Sequence, residues 1–307
     1  MLSAADDASR TLTGVAMAFA AWAAFSLQDA TIKYLVTTIP VPEILFARSV
    51  EITLVASLAL RRSQFAIMLE RRSLAAIGVR ALFILVAWLT YYAAARSLSL
   101  PALVTLYFAA PLFVVALAGV TLGETPGLAR WGATIVGFVG VVIAADLNAA
   151  PSVAPALLVL TAAFCWAATS ILTRSLSLAI STTALMVGTN FVFVIACALV
   201  APFVFVTPSL GEIALLLLLG VFGGVGQFFM FQGMRLAPAS AIAPFEYSSL
   251  AWATLWGWLI FSELPSPHVL LGGAIILSSG LFMLAVERRR AAVRSRGRAA
   301  ANFTASP

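Results

Sequence analysis

The chain has 307 residues, 62% of them hydrophobic and only 10% charged. A soluble protein of this length needs far more polar surface, so lipid is the solvent for most of the molecule. The formal charge of +6 does not signal a nucleic-acid partner, because the basic residues lie in short loops and a tail, as topology determinants do.

Residues 1–12 form a short polar lead with Asp6, Asp7 and Arg10. No small-residue cleavage site follows, and the next apolar stretch is too long for a signal peptide, so it is predicted to stay as the first helix. A membrane-spanning helix needs about 20 apolar residues. Breaks at charges, prolines and glycines give ten such segments: 13–35, 43–60, 74–95, 101–122, 128–147, 154–176, 182–205, 211–234, 240–261 and 267–286. Pro101, Pro126, Pro155, Pro208 and Pro267 stand at or near span starts, where a missing N–H costs least. The runs are unbroken and too long for barrel strands. Cys165 and Cys197 lie inside apolar segments and read as small buried side chains, not as a disulfide or a zinc site.

With ten spans the two termini share a side. That side collects Arg10, Arg61, Arg62, Arg71, Arg72, Arg80, Arg130, Arg174, Arg235 and the tail arginines from Arg288 to Arg298, against Lys33 and Arg96 on the other. The asymmetry predicts cytoplasmic termini. Residues 287–307 read as a basic, disordered cytoplasmic tail.

The sequence also repeats itself. Arg96, Glu124 and Pro126 each have a like residue 139 positions on, at Arg235, Glu263 and Pro265. In the same register Ala133 and Gly140 match Gly272 and Ser279. Trp22-Ala23-Ala24-Phe25-Ser26 returns 144 positions on as Trp166-Ala167-Ala168-Thr169-Ser170, so loops absorb the difference. The chain is thus predicted to be an all-α membrane protein of ten transmembrane helices, with one five-helix repeat at 13–147 and a second at 154–286. Five is odd, so the second repeat is inverted, an architecture of secondary transporters.

These paired repeats, the Gly123-Glu124 and Ser262-Glu263 turns before a glycine-studded span, and the arginine junctions before each fourth span resemble the drug/metabolite transporter superfamily, EamA-type. The resemblance runs from about Gly14 to Val286. It implies a central cavity lined by spans 1, 3, 4, 6, 8 and 9, and export of amino acids or other small metabolites; the aromatic-amino-acid exporters of the YddG type are one branch. Ser262, where the first repeat has Gly123, departs from the pattern and predicts a different turn in the two halves.

Polar groups inside spans are costly and mark functional candidates. On span one Trp22, Ser26, Asp29 and Lys33 share a face, flanked by Gln28. Asp29 and Lys33 can pair with each other or serve the substrate, and Asp29 is a coupling candidate. On span two Arg48 and Glu51 are spaced to pair, which reads as structural. Glu43 at that span's start complements the helix dipole. Tyr91 and Tyr92 lie near one end of span three and Tyr107 lies deeper in span four, 139 positions before Glu246. Trp166 on span six either flanks a substrate with Trp22 or packs against it. Span eight carries Gly220, Gly223, Gly224 and Gly226, which permit close helix approach, then Gln227 and Phe231 on one face. Span nine holds Pro244, Glu246, Tyr247, Ser248 and Ser249. Glu246, beside a proline kink, is the foremost proton-coupling or amine-binding candidate, with neutralisation of Arg174 or Arg235 as the alternative. Pro111 and Pro244 are not repeat mates, so unlike hinges are expected. Glu124 and Glu263 read as turn or cap residues.

The expected substrate site is therefore Trp22, Gln28, Tyr92, Tyr107, Trp166, Gln227, Phe231, Glu246 and Ser248. An intramembrane enzyme would need a nucleophile and base or metal ligands, and the single histidine, His268, stands in a predicted loop. No filter motif suggests a channel. No enzymatic activity, cofactor or metal is expected. The partners are a small-molecule substrate and the bilayer, with the oligomeric state open and a monomer among the options. A sugar or nucleotide derivative, a drug, or a receptor or scaffold role are the alternatives.

Overall fold

The computed structural model describes the backbone of residues 4–121, 128–145, 153–236, 245–282 and 285–286. Twelve helices are seen among them: α1 (Ala4–Leu35), α2 (Val41–Leu58), α3 (Arg62–Leu69), α4 (Arg71–Ala95), α5 (Leu100–Tyr107), α6 (Ala110–Thr121), α7 (Leu128–Ala145), α8 (Ala154–Ala179), α9 (Thr182–Val204), α10 (Leu210–Leu236), α11 (Ser248–Phe261) and α12 (Pro267–Phe282). The described residues contain no strand. Helix α3 is a short piece in the second loop, whose start is held by Gln64 accepting the Arg61 N–H at 3.5 Å.

Nine of these elements follow the predicted spans one for one, while α5 and α6 together make the fourth. Pro111 breaks that span: it has no N–H for the Tyr107 carbonyl, and its ring would collide there in a straight helix. The chain passes the break on tight bonds, Phe108 N–H to Thr105 at 3.2 Å and Ala109 N–H to Leu106 at 3.1 Å. The ninth span is interrupted at Tyr247. Phe108 and Tyr247 are repeat mates, so both spans are interrupted at one register; the expected difference between the Pro111 and Pro244 hinges rests on a proline outside those described. Pro244, Glu124, Pro126 and the tail lie outside the described residues.

Helix α2 shows what the solvent is. It buries Arg48 (0% exposed) and Ser49, yet leaves Leu58 89% exposed. A helix with polar groups inside and apolar groups outside is stable only in lipid. Four helical stretches, including Leu12–Leu35 and Arg71–Ala95, are long and apolar enough to cross a membrane by composition alone. Helix α2 is long enough too, but carries Glu43, Arg48 and Glu51.

The helices pack as two halves related by a pseudo-twofold. Helix α1 lies against α10, and its repeat mate α8 lies against α4, itself the mate of α10. Likewise α2 on α10 has its counterpart in α9 on α4. The α1–α10 contact is antiparallel along its whole length. At one end a Cβ on Gly233 would meet the Gly14 carbonyl, and near the middle one on Gly226 would meet Phe25. At the other end Thr38 donates to Glu212 at 2.5 Å, within a capping box in which Ser209 and Glu212 satisfy each other's backbone N–H. The small residues set this close approach, as expected of span eight.

Helices α7 and α12 give the symmetry in atomic detail. Gly140 packs on Gly272 so closely that a Cβ on either would meet the other's carbonyl oxygen. Ser279 donates to the Ala133 carbonyl at 2.5 Å. Ser279 is the repeat mate of Gly140, and Gly272 of Ala133, so the two contacts are images of one another. By its described residues the molecule is an all-α membrane protein whose helices make ten spans in two inverted five-helix repeats.

Candidate functional site

Residues that touch their own repeat mates must straddle the pseudo-twofold axis. Phe108 and Tyr247 do so, with ring centroids 5.3 Å apart. One residue earlier stand Tyr107 and Glu246, also repeat mates, each flanking that ring contact. An axis relating inverted repeats lies in the membrane plane, so this pair stands at mid-depth. Both residues are half-buried.

From Tyr107 a chain of rings runs through the interior. Tyr107 meets Trp166 of α8 at 6.4 Å and Tyr91 of α4 at 5.0 Å. Tyr91 meets Tyr92 at 6.3 Å, and Tyr92 meets Trp88 at 5.2 Å. Angles of 50–68° between ring planes along this chain give tilted and edge-on contacts, which the ring quadrupoles favour. The wall is contributed by both repeats.

Polar groups line one side of it. Tyr91 donates its hydroxyl to Asp29 of α1 at 3.1 Å. Gln28 donates toward the Tyr92 hydroxyl at 3.5 Å and accepts from Arg48 Nε at 3.0 Å. The Arg48 guanidinium lies over the Trp88 ring, 4.9 Å from its centroid. From the other side Gly223 of α10 comes so close that a Cβ there would stand 2.7 Å from Arg48 Nε. Further along α10, Gln227 accepts from Asn190 of α9 at 3.4 Å. Arg80 of α4 donates to Thr189 at 2.7 Å.

The structure therefore brings together Gln28, Asp29, Tyr92, Tyr107, Trp166 and Glu246 from the expected set, with Gln227 joined to the neighbouring Asn190. It does not bring Phe231 there: that side chain packs in a separate apolar cluster with Ile52, Ala56, Met68 and Ile77. Ser248 donates to the Phe245 carbonyl of its own segment at 2.6 Å. Trp22 packs edge-on against Phe25 at 5.8 Å, not against Trp166. Glu246 forms no ion pair among the described residues; the side chains of Arg174 and Arg235 lie outside them.

Two expected pairings are corrected. Lys33 does not bond Asp29. It reaches Glu263 Oε1 at 3.0 Å and the Leu98 carbonyl at 2.5 Å. Glu263 Oε2 accepts the Leu100 N–H at 3.1 Å, so this glutamate caps α5 from the far end of the chain. Arg48 does not pair with Glu51 either. Glu51 turns into a groove between α2 and α10 beside Gly220. Glu43, expected to act on its own helix, also accepts the Val206 N–H at 3.0 Å. A three-residue Arg–Glu spacing permits a pair without requiring one. The signal that could have flagged Arg48 was the density of polar residues on span two, too high for a helix facing only lipid.

Among the described residues no group of histidine, cysteine and carboxylate side chains could hold a metal ion.

Comparison with known proteins agrees with this architecture. Residues 12–145 and 154–285 each match the EamA-like transporter family. The chain is 33% identical to a riboflavin transporter of Rhizobium johnstonii over 72% of its length and 71% of the relative's. It is 31% identical to an S-adenosylmethionine uptake transporter of Rickettsia conorii over 59% of its length and 62% of the relative's. It is 29% identical to the pseudopaline exporter CntI of Pseudomonas aeruginosa over 86% and 93%. A crystal structure 19% identical superposes with a TM-score of 0.63 over 92% of this chain and 98% of its own, which shows the fold. The chain belongs to the EamA-like transporter family, within the drug/metabolite transporter superfamily.

Proposed function

We propose that the chain exports small amphipathic metabolites, amino acids and amino-acid-like compounds with aromatic or apolar side chains foremost, across the cytoplasmic membrane by alternating access, with both termini in the cytoplasm. The observation that carries this reading is the ring wall Trp88–Tyr92–Tyr91–Tyr107–Trp166, bordered by carboxylates on α1 and at the start of the ninth span. Flat or apolar groups gain about 0.5–1.5 kcal/mol per favourable ring contact beyond the area they bury. A substrate amine finds Asp29 or Glu246, and Glu246 adjoins the Phe108–Tyr247 contact that straddles the axis, which suits a group presented alternately to each side. Riboflavin and S-adenosylmethionine, named for two relatives, both carry planar ring systems, which suits such a wall.

The export direction follows the CntI relative, which matches the chain over most of its length. The S-adenosylmethionine relatives are uptake transporters, which favours uptake as the second reading. Purified protein reconstituted in liposomes separates them. Saturable flux of labelled tryptophan, phenylalanine, riboflavin or S-adenosylmethionine names the class, and the side on which the apparent affinity is higher gives the direction. If Glu246 carries the coupling proton, Glu246→Gln removes the effect of a pH gradient and spares exchange. Loss of exchange as well makes it a ligand or a structural charge. No saturable flux of any panel member from folded protein refutes the proposal.

A further inference from the structure

Arg48 is fully buried in the middle of α2, inside a region where an uncompensated charge is costly and marks a functional group. Its only hydrogen bond among the described residues is from Nε to Gln28, and both terminal nitrogens, Nη1 and Nη2, lack an acceptor. Glu51 faces a different groove, and Asp29 acts on Arg48 only as a more distant charge, being bonded instead to Tyr91. The guanidinium is nevertheless held in place. Trp88 covers one side, the close-set backbone at Gly223 bounds it on another, and Gln28, itself tied to Tyr92, fixes the Nε edge. A buried cation that is oriented on three sides and has its terminal fork unclaimed is built to meet something the protein does not supply.

We propose that Arg48 is the anion-recognition residue of the transporter interior and that, once the helices part to admit the transported molecule, it takes that molecule's monoanionic carboxylate. This rests on the transporter reading above and adds to it the chemistry of the substrate's charged end. The two terminal nitrogens present parallel N–H groups at the spacing of carboxylate oxygens, which a lysine could not do. One guanidinium neutralises one negative charge. In a site that also holds Asp29, a phosphate dianion would leave two negative charges in excess and a carboxylate one, which the amine of a zwitterion offsets, so the geometry and the charge balance favour a carboxylate. The ring wall that begins at Trp88 then receives the apolar body of the same molecule. A zwitterion would place its amine toward Asp29 or Glu246.

The test uses the full-length protein and matched probes: L-tryptophan, tryptophanamide, tryptamine and indole-3-propionate, the same series built on phenylalanine, with phenyl phosphate and riboflavin as phosphate and uncharged arms. Binding is read as a thermal shift in detergent, and flux in liposomes. Carboxylate members should bind wild-type protein on the order of 10–100-fold more tightly than their amides or decarboxylated forms. R48Q should erase that ratio without weakening the amides, and R48K should restore part of it. A merely structural arginine would weaken all members alike. Should R48Q not fold, Gly223→Ala, which forces a methyl against the guanidinium and Gln28, should lower carboxylate affinity while sparing the amides. Amides or phenyl phosphate binding as well as the carboxylates, no carboxylate binding, or an unchanged ratio in the variants overturns the assignment. If uncharged or cationic members are still transported, the transport reading stands and only the role of Arg48 falls. If nothing is transported, the transport reading falls.

Discussion

Alternating access, as proposed, requires that each end of the bundle open in turn, and the end carrying Lys33 is crossed by a small set of bonds. Lys33 and Glu263 are 3.0 Å apart with side chains 10% and 29% exposed. Arg96 adds a bond to the Ile39 carbonyl at 3.4 Å. Exposed pairs contribute about 0.2–1 kcal/mol, and breaking fully buried ones costs about 3–5 kcal/mol. This half-screened pair, discounted for the water that reaches Glu263, should couple by about 1–2 kcal/mol. A contact made in only one of two conformations biases their ratio by its own free energy, so breaking it should raise the open population roughly 5–30-fold. Glu263→Gln separates the two roles of the carboxylate, because an amide oxygen can still accept the Leu100 N–H while losing the charge. Glu263→Ala removes both and should cost about 1 kcal/mol more, the worth of a cap. The assay is a double-mutant cycle of K33M and E263Q, read by a membrane-impermeant maleimide on Leu98→Cys, whose carbonyl is a Lys33 acceptor. Labelling should speed up 5–30-fold in either variant, with little further gain in the double. Fully additive variants, or labelling at the wild-type rate, would refute the clamp.

Three further outcomes follow from single residues. Ser262 has φ of 55°, a left-handed conformation that costs an ordinary residue roughly 1 kcal/mol, at the position where the first repeat has Gly123; Ser262→Gly should raise the thermal midpoint in detergent and leave flux unchanged. Gly272→Ala drives a methyl into the Gly140 carbonyl and Ala144, and should destabilise by about 1–3 kcal/mol, seen as a lower midpoint. Tyr91→Phe removes the hydroxyl that Asp29 accepts and leaves that carboxylate short of a donor, a penalty of about 1–3 kcal/mol. It should lower flux more than it lowers the midpoint, and a normal rate in liposomes would remove Asp29 from the transport cycle.

The spans, the repeat and its register were readable because each rests on local chemistry: unbroken apolar length, charges at span ends, and residue types recurring at fixed offsets. Partner choice was not. Lys33 bypasses Asp29, four residues off on its own face, for Glu263 at the far end of the chain, since only packing of the two repeats brings that carboxylate near. Arg48 and Glu51 are close in sequence and both lie along α10, yet Arg48 turns inward to Gln28 and Trp88 while Glu51 turns into the groove between α2 and α10. Phe231 shares a helical face with Gln227, but the α10 surface passes from the polar interior to an apolar cluster within one turn.

What the symmetry does and does not repeat divides the labour in this molecule. The contacts that set helix against helix are images of one another: α1 on α10 and α8 on α4, Gly140 on Gly272 and Ala133 on Ser279. Each half can therefore adopt the packing of the other at little cost, which alternation needs. The polar groups of the interior break that symmetry. Tyr107 faces its mate as a glutamate, Arg48 has no arginine counterpart anywhere in α9, and Asp29 has no acidic counterpart in α8. A cavity lined by symmetric residues would present the same chemistry at both ends and hold a bound molecule in two equivalent orientations. Under the proposed function the unmatched charges would give it one orientation. On the proposed transport cycle the duplicated scaffold would supply the motion, and the handful of residues that escaped duplication would decide what is carried and which way round it sits.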